Sequence, residues 1–76
     1  MDFTEELVVR SSFIRWLGLV AADSYGEIHV KMAAGVTYVY RIGEPSFWEK
    51  FKTALSKGKY YNAVIKRRFD YVRKYR

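Results

Sequence analysis

Residues 50–76 hold ten lysines and arginines, four tyrosines and a single acid, Asp70. Lys57, Lys59, Lys66, Arg67, Arg68, Arg73, Lys74 and Arg76 are interleaved with Tyr60, Tyr61, Tyr71 and Tyr75. Ammonium and guanidinium groups neutralise phosphates and release their counterions, while flat phenol rings stack on bases. The mixture suits a polyanion with exposed bases, and Lys57, Lys59, Tyr60, Lys66, Arg67, Arg68, Tyr71, Arg73 and Lys74 are the candidate nucleic-acid contacts. Against this stands a purely structural account. Tyr61 and Phe69 share helical spacing with Ile65 and are expected in the core, Tyr60 can cover a helix end, and lysines also solvate outer faces. One acid among eleven charges nevertheless exceeds what solubility asks. Residues 1–49 carry four basic and seven acidic side chains, so the positive charge belongs to the C-terminal third alone.

Two further groupings carry candidate chemistry. Tyr38 and Tyr40 are two apart in a strand and point to one face, where such a pair can stack on bases or can serve as core with its hydroxyls at the rim. The sheet needs that face for its helices, which favours core. Ser56, Gly58 and Asn62 surround a break between helices, where free N–H groups near Lys59 and Tyr60, flanked by Lys57, are expected to form a phosphate corner. The alternative is that Ser56 and Asn62 cap the turn. Catalysis finds no constellation: there is no cysteine, His29 is the sole histidine, and the basic third offers only Asp70 as an acid. No metal and no cofactor are expected.

These side chains need a frame, and 76 residues allow one core that buries about 60% of the unfolded surface. The apolar content of 50% is enough for a single domain spanning residues 1–76. Ile28, Val30 and Met32, then Val36, Tyr38, Tyr40 and Ile42, recur at every second position and predict two strands. Ala33, Ala34 and Gly35 join them as a hairpin whose glycine takes positive φ. An earlier strand is expected from about Ser12 to Val20, with Gly18 marking a bulge or a close backbone approach, and Ala22 to Gly26 turning the chain onward. The opposite side of this meander, with His29, Lys31, Thr37 and Arg41, is expected to be exposed. Residues 1–10 read as an arm or an extension of the first strand.

Pro45 suits a first helical turn, and Phe47, Trp48, Phe51, Ala54 and Leu55 repeat at helical spacing. Gly58 is expected to end that helix in a left-handed cap, after which Tyr61, Val64, Ile65 and Phe69 begin a second one. The expected fold is α+β: a three-stranded antiparallel meander followed by two C-terminal helices packed on one face. The acidic N-terminus does not look like a signal peptide, no apolar run approaches the roughly 20 residues of a membrane span, and the missing cysteines fit a reducing compartment. A cytoplasmic protein is expected, with no membrane partner.

The sequence resembles the KTSC domain, a short family named for the C-terminus of some lysyl-tRNA synthetases and found also as stand-alone bacterial and phage proteins. Its central mark is a Tyr-x-Tyr pair, here Tyr38, Val39 and Tyr40. The similarity runs from Ser11 to Arg73 and takes in Ser12, Ile14, Leu17, Gly18 and Gly35, then Ala54, Ser56, Lys57, Gly58, Tyr60, Tyr61, Asn62, Ile65, Arg68, Phe69 and Tyr71. Leu19 and Val20 replace the family's usual Tyr-Asp, Pro45 falls one position late, and Asp70 stands where proline is common. The resemblance implies a nucleic-acid connection. Together with the charge pattern it points to a non-catalytic nucleic-acid-binding module of low sequence specificity, with RNA or another single strand favoured. The alternative is a protein-interaction module, such as a phage-encoded protein that docks on a host enzyme. Oligomeric state is left open.

Overall fold

The computed structural model describes residues 3–21, 25–43 and 46–76. Among these, five strands form one antiparallel sheet in chain order: β1 (Glu5–Val8), β2 (Ile14–Ala21), β3 (Gly26–Met32), β4 (Thr37–Ile42) and β5 (Tyr71–Tyr75). Between β4 and β5 lie α1 (Ser46–Thr53) and a second helical segment, residues 57–68, which starts as α2 (Lys57–Tyr60), widens into a π-helical turn (Tyr61–Ile65) and closes as α3 (Lys66–Arg68).

The α+β class stands, but the meander has five strands where three were expected. The segment before Val8 is a strand of its own, paired so that Leu7 meets Leu17 beside the core. Glu5 on this strand accepts hydrogen bonds from Trp48 Nε1 at 3.0 Å and Lys52 Nζ at 3.1 Å, which ties β1 to α1. The tail after Asp70 is also a strand and not helix. Phe69 takes extended dihedrals, and β5 then pairs with β4 so that Thr37 meets Tyr75 and Tyr40 meets Tyr71. Its β-branched and aromatic residues suit that geometry.

Alternation along the inner strands sends Leu17, Leu19, Ile28, Val30, Tyr40 and Ile42 to one face, where Trp48, Phe51, Tyr61 and Ile65 from the helices complete a single buried cluster. Each fully buried leucine or isoleucine contributes about 1.5–3 kcal/mol. A bulge between Ile14 and Trp16 shifts the phase of β2, so that Ile14 sits beside Met32 on this same face while Trp16 turns to the other. Gly18 makes the close approach its type suggested: a Cβ there would run into the Trp16 ring and lie 2.8 Å from Phe3. The hairpin glycine, Gly35, has φ 99° as expected. The turn at Ala22 to Ser24 and the helix-start role of Pro45 fall outside the described residues.

Three local expectations are corrected. Helix α1 stops at Thr53, so Leu55 leaves the apolar stripe and is fully exposed at 107%. Gly58 is not a left-handed cap: it lies inside α2, buried where a Cβ would come within 2.9 Å of Phe13 and 3.1 Å of Ser11 Oγ. The far face of the sheet is open only in part: Lys31 and Arg41 are exposed as expected, but His29 and Thr37 are 1% and 3% exposed. Phe3, Trp16 and Tyr75 roof it, with ring centroids of Phe3 and Tyr75 at 4.9 and 5.8 Å from that of His29.

Candidate nucleic-acid interface

A groove of about 750 Å³ runs between the second helical segment and the β3–β4–β5 part of the sheet. Its walls are aromatic: Phe13, Tyr38, Tyr40, Tyr61, Phe69 and Tyr71 line it, with Asn62 and Lys66 from the helical segment and Asp70 from the link to β5. The spacing of Asn62 and Lys66, one turn apart, puts both on one flank of the helix. The π-helical turn lies in this same stretch, closed by the Lys66 N–H donating to the Tyr61 carbonyl, and such turns concentrate at functional sites.

The two tyrosines of the Tyr-x-Tyr pair divide the work. Tyr40 is buried, and its hydroxyl lies 2.5 Å from that of Tyr61 in the floor of the groove. Burial, followed by the Tyr61 hydrogen bond, pushes the Tyr40 phenol far above its usual range, and burial likewise raises Tyr61, so both stay neutral. Tyr40 is therefore core, although its hydroxyl meets Tyr61 inside the floor and not at the rim. Tyr38 is half-buried and meets Tyr71 edge-to-face at 5.0 Å, and Tyr71 is 47% exposed. The pair offers ring surface to a ligand that Tyr40 does not. Lys74 lies opposite Tyr38 in register, hence on the same side of the sheet.

The remaining candidates lie elsewhere. Lys59 and Arg67 are exposed, and the Arg68 guanidinium stacks over the Phe47 ring at 5.3 Å. Tyr60 packs on Phe51 at 5.3 Å, and its hydroxyl is buried with no hydrogen-bond partner among the described residues. Arg73 projects from the opposite face, where its guanidinium grips Glu27 through two hydrogen bonds of 3.0 and 3.3 Å. That bond holds the Glu27 carboxyl below its ordinary range and raises Arg73. Lys52, another cation of the C-terminal third, is likewise committed to Glu5 and Glu49.

Ser56, Gly58 and Asn62 do meet, together with Lys57 and Lys59, in a second cleft of about 480 Å³ beside Val8 and Leu55. The donors expected there are used internally, however. Lys59 N–H donates to Ser56 Oγ at 3.3 Å and Tyr60 N–H to the Ser56 carbonyl at 3.1 Å, while Lys57 Nζ donates to the Ala54 carbonyl at 3.0 Å. Ser56 is an N-cap, and the phosphate corner loses the N–H groups on which it rested. Sequence reasoning missed Phe13, Met32 and Asp70 as groove walls. Phe13 precedes an irregular strand start and shows no periodic signal, whereas the isolated charge of Asp70 among cations was a readable sign.

The Tyr38–Val39–Tyr40 pair at the centre of the sheet and the helix start at Ser56–Gly58 both fall within residues 26–69, which match the KTSC domain family. The chain belongs to the KTSC domain family. The match runs from β3 to the end of the helices, narrower than the span from Ser11 to Arg73 on which the resemblance was read. In this KTSC domain, the floor of the groove and its helical wall lie inside the matched region, whereas Phe13, Asp70 and Tyr71 lie outside it. No curated protein matches the chain.

Proposed function

We propose that this KTSC domain is a non-catalytic binding module for single-stranded nucleic acid, RNA above DNA. The observation that carries the reading is the tyrosine groove, where half-buried Tyr38 and exposed Tyr71 line the same groove as Lys66, with Lys74 across the register from Tyr38, neither lysine paired with a carboxylate among the described residues. A slot between helix and sheet admits an unstacked base and not a duplex. Stacking and phosphate neutralisation tolerate most sequences, so affinity depends weakly on base order. Lys59, Arg67 and Arg68 extend the positive surface from the helical side. No helix of the described residues is long and apolar enough to cross a membrane, and a cytoplasmic setting, where single-stranded RNA is abundant, suits a chain without cysteine. The test is fluorescence anisotropy of labelled oligouridine and oligothymidine at about 50 and about 200 mM salt. Binding whose logarithmic salt slope rises by about 0.7 for each phosphate neutralised supports the reading, and no binding at the lower salt rejects it.

A second reading, a protein-interaction module such as a phage product acting on a host enzyme, is favoured by Leu55 and Val8. Both are exposed beside the basic second cleft, and an apolar anchor ringed by cations fits an acidic protein surface. A stoichiometric protein partner that survives nuclease treatment, and is lost in Leu55→Asp, supports this reading in place of the first.

A further inference from the structure

Asp70 is the only acid among the ten cations of residues 50–76, and it lines the groove that Asn62 and Lys66 also line. Glu5, Glu27 and Glu49 are all ion-paired. Asp70, in the link between the helical segment and β5, makes no ion pair or hydrogen bond among the described residues. A bare carboxylate in a groove for RNA repels each phosphate that approaches and weakens binding, unless the ligand carries donors that meet it.

The chemistry of the bases decides which donors those are. A carboxylate presents two acceptor oxygens side by side and no donor. Guanine places N1–H and the exocyclic N2 amino group side by side on its Watson–Crick edge, which matches that pair of acceptors. Adenine and cytosine set one donor next to an acceptor nitrogen, so the second carboxylate oxygen meets a lone pair. Uracil has one N–H between two carbonyls and fares no better. Guanine also carries O6 next to N1–H, and Asn62 and Lys66, which line the same groove, both have donors for it.

We propose that Asp70 gives the groove a preference for guanine at one position of the bound strand. The base lies against Tyr38 and Tyr71, its N1–H and N2 amino group donate to the Asp70 carboxylate, and Asn62 or Lys66 donates to O6. The inference rests on the single-strand reading above and adds to it one specificity-determining residue.

The test uses the full chain and four labelled oligouridines that differ only in a central guanosine, inosine, adenosine or uridine, titrated at low salt with wild type and Asp70→Asn. Inosine keeps N1–H and O6 but lacks the N2 amino group. The expected order for wild type is guanosine above inosine by about tenfold, with adenosine and uridine no better than inosine. In Asp70→Asn the four affinities fall within about twofold of one another, while the all-uridine probe binds no more weakly than to wild type, because a repulsive charge has gone. Asp70 is exposed, so the variant is expected to keep the circular dichroism spectrum of wild type. Equal binding of all four probes by wild type, or a guanosine preference that survives in Asp70→Asn, overturns the role of Asp70 and leaves the single-strand reading in place. No binding of any probe by wild type removes both.

Discussion

The two faces of the sheet treat the same residue types in opposite ways. At the centre of the far face, charge and aromatic rings are consumed, and Arg15, Lys31 and Arg76 stand only around its edge: Glu27 is held by Arg73 and approached by Arg41 at 3.5 Å, and His29 Nδ1 shares a hydrogen bond with the Tyr75 hydroxyl at 2.9 Å beside the Phe3 ring. On the helical face, Tyr38, Lys66, Asp70 and Tyr71 line an open groove, and Lys66 and Asp70 make no ion pair among the described residues. Strand β5 serves both, because a bulge between the Val39 and Tyr40 pairings shifts its phase: Tyr71 pairs with Tyr40 on the groove side, whereas Arg73 and Tyr75 pair with Val39 and Thr37 on the far side. A basic, tyrosine-rich tail is therefore partly a structural fastener and partly a binding wall, and only the partners of each side chain tell the two apart.

The largest expected effect sharpens that contrast by charge reversal. Lys66, Arg67 and Arg68 changed together to glutamate lower the affinity for oligouridine by about a hundredfold with the fold retained, since all three are exposed. Reversing Arg15, Lys31 and Arg41 on the far face changes it far less, and equal losses in the two triple variants, measured by anisotropy, break the comparison. Next is Glu27→Ala, which removes the acceptor of two charge-assisted hydrogen bonds and lowers stability by about 2 kcal/mol, with a fall in Tm of about 10 °C. Thermal melts followed by circular dichroism read this directly. Tyr38→Ala should weaken oligonucleotide binding about tenfold through lost stacking.

The smallest effect is a dependence on pH. Burial, then the Arg73 charge, holds His29 below its ordinary value of 6.5, and Arg73 holds Glu27 below 4.5. In both cases the unfolded chain binds the proton more readily than the folded one. The stabilisation is therefore complete at neutral pH and lost on acidification, through His29 as pH falls below about 6.5 and through Glu27 below about 4.5. Replacing His29 with Gln flattens the Tm profile between about pH 7 and pH 5.5 while leaving the steeper fall at lower pH.

What could be read from the sequence follows how local each signal is. The strands around Val30 and Tyr40 and the hairpin at Gly35 lie in a continuous period-two pattern, and the core roles of Tyr61 and Ile65 lie in helical spacing. The reading of Leu55 went wrong because the helical period continues past the point where α1 ends. Gly58 went wrong because glycine signals both a left-handed cap and a close approach, and only the distant Phe13 selects the second. Strand β5 and the burial of His29 on the far face depend on Arg73 meeting Glu27 and Tyr75 meeting His29, each 46 positions away, and no local pattern carries that information. The groove was half legible: Tyr38, Asn62, Lys66 and Tyr71 were singled out one by one, but what brings them together is the return of the chain at Phe69 and Asp70.

The division between the two faces is tested most directly by backbone amide chemical shifts of the labelled domain titrated with short oligouridine. The largest shifts are expected at Tyr38, Asn62, Lys66 and Tyr71, with His29, Lys31 and Arg15 nearly unmoved. Shifts concentrated around Arg15, Lys31 and Arg76, which flank a separate hollow on the far face, would contradict the account and place the ligand on the side assigned here to structure.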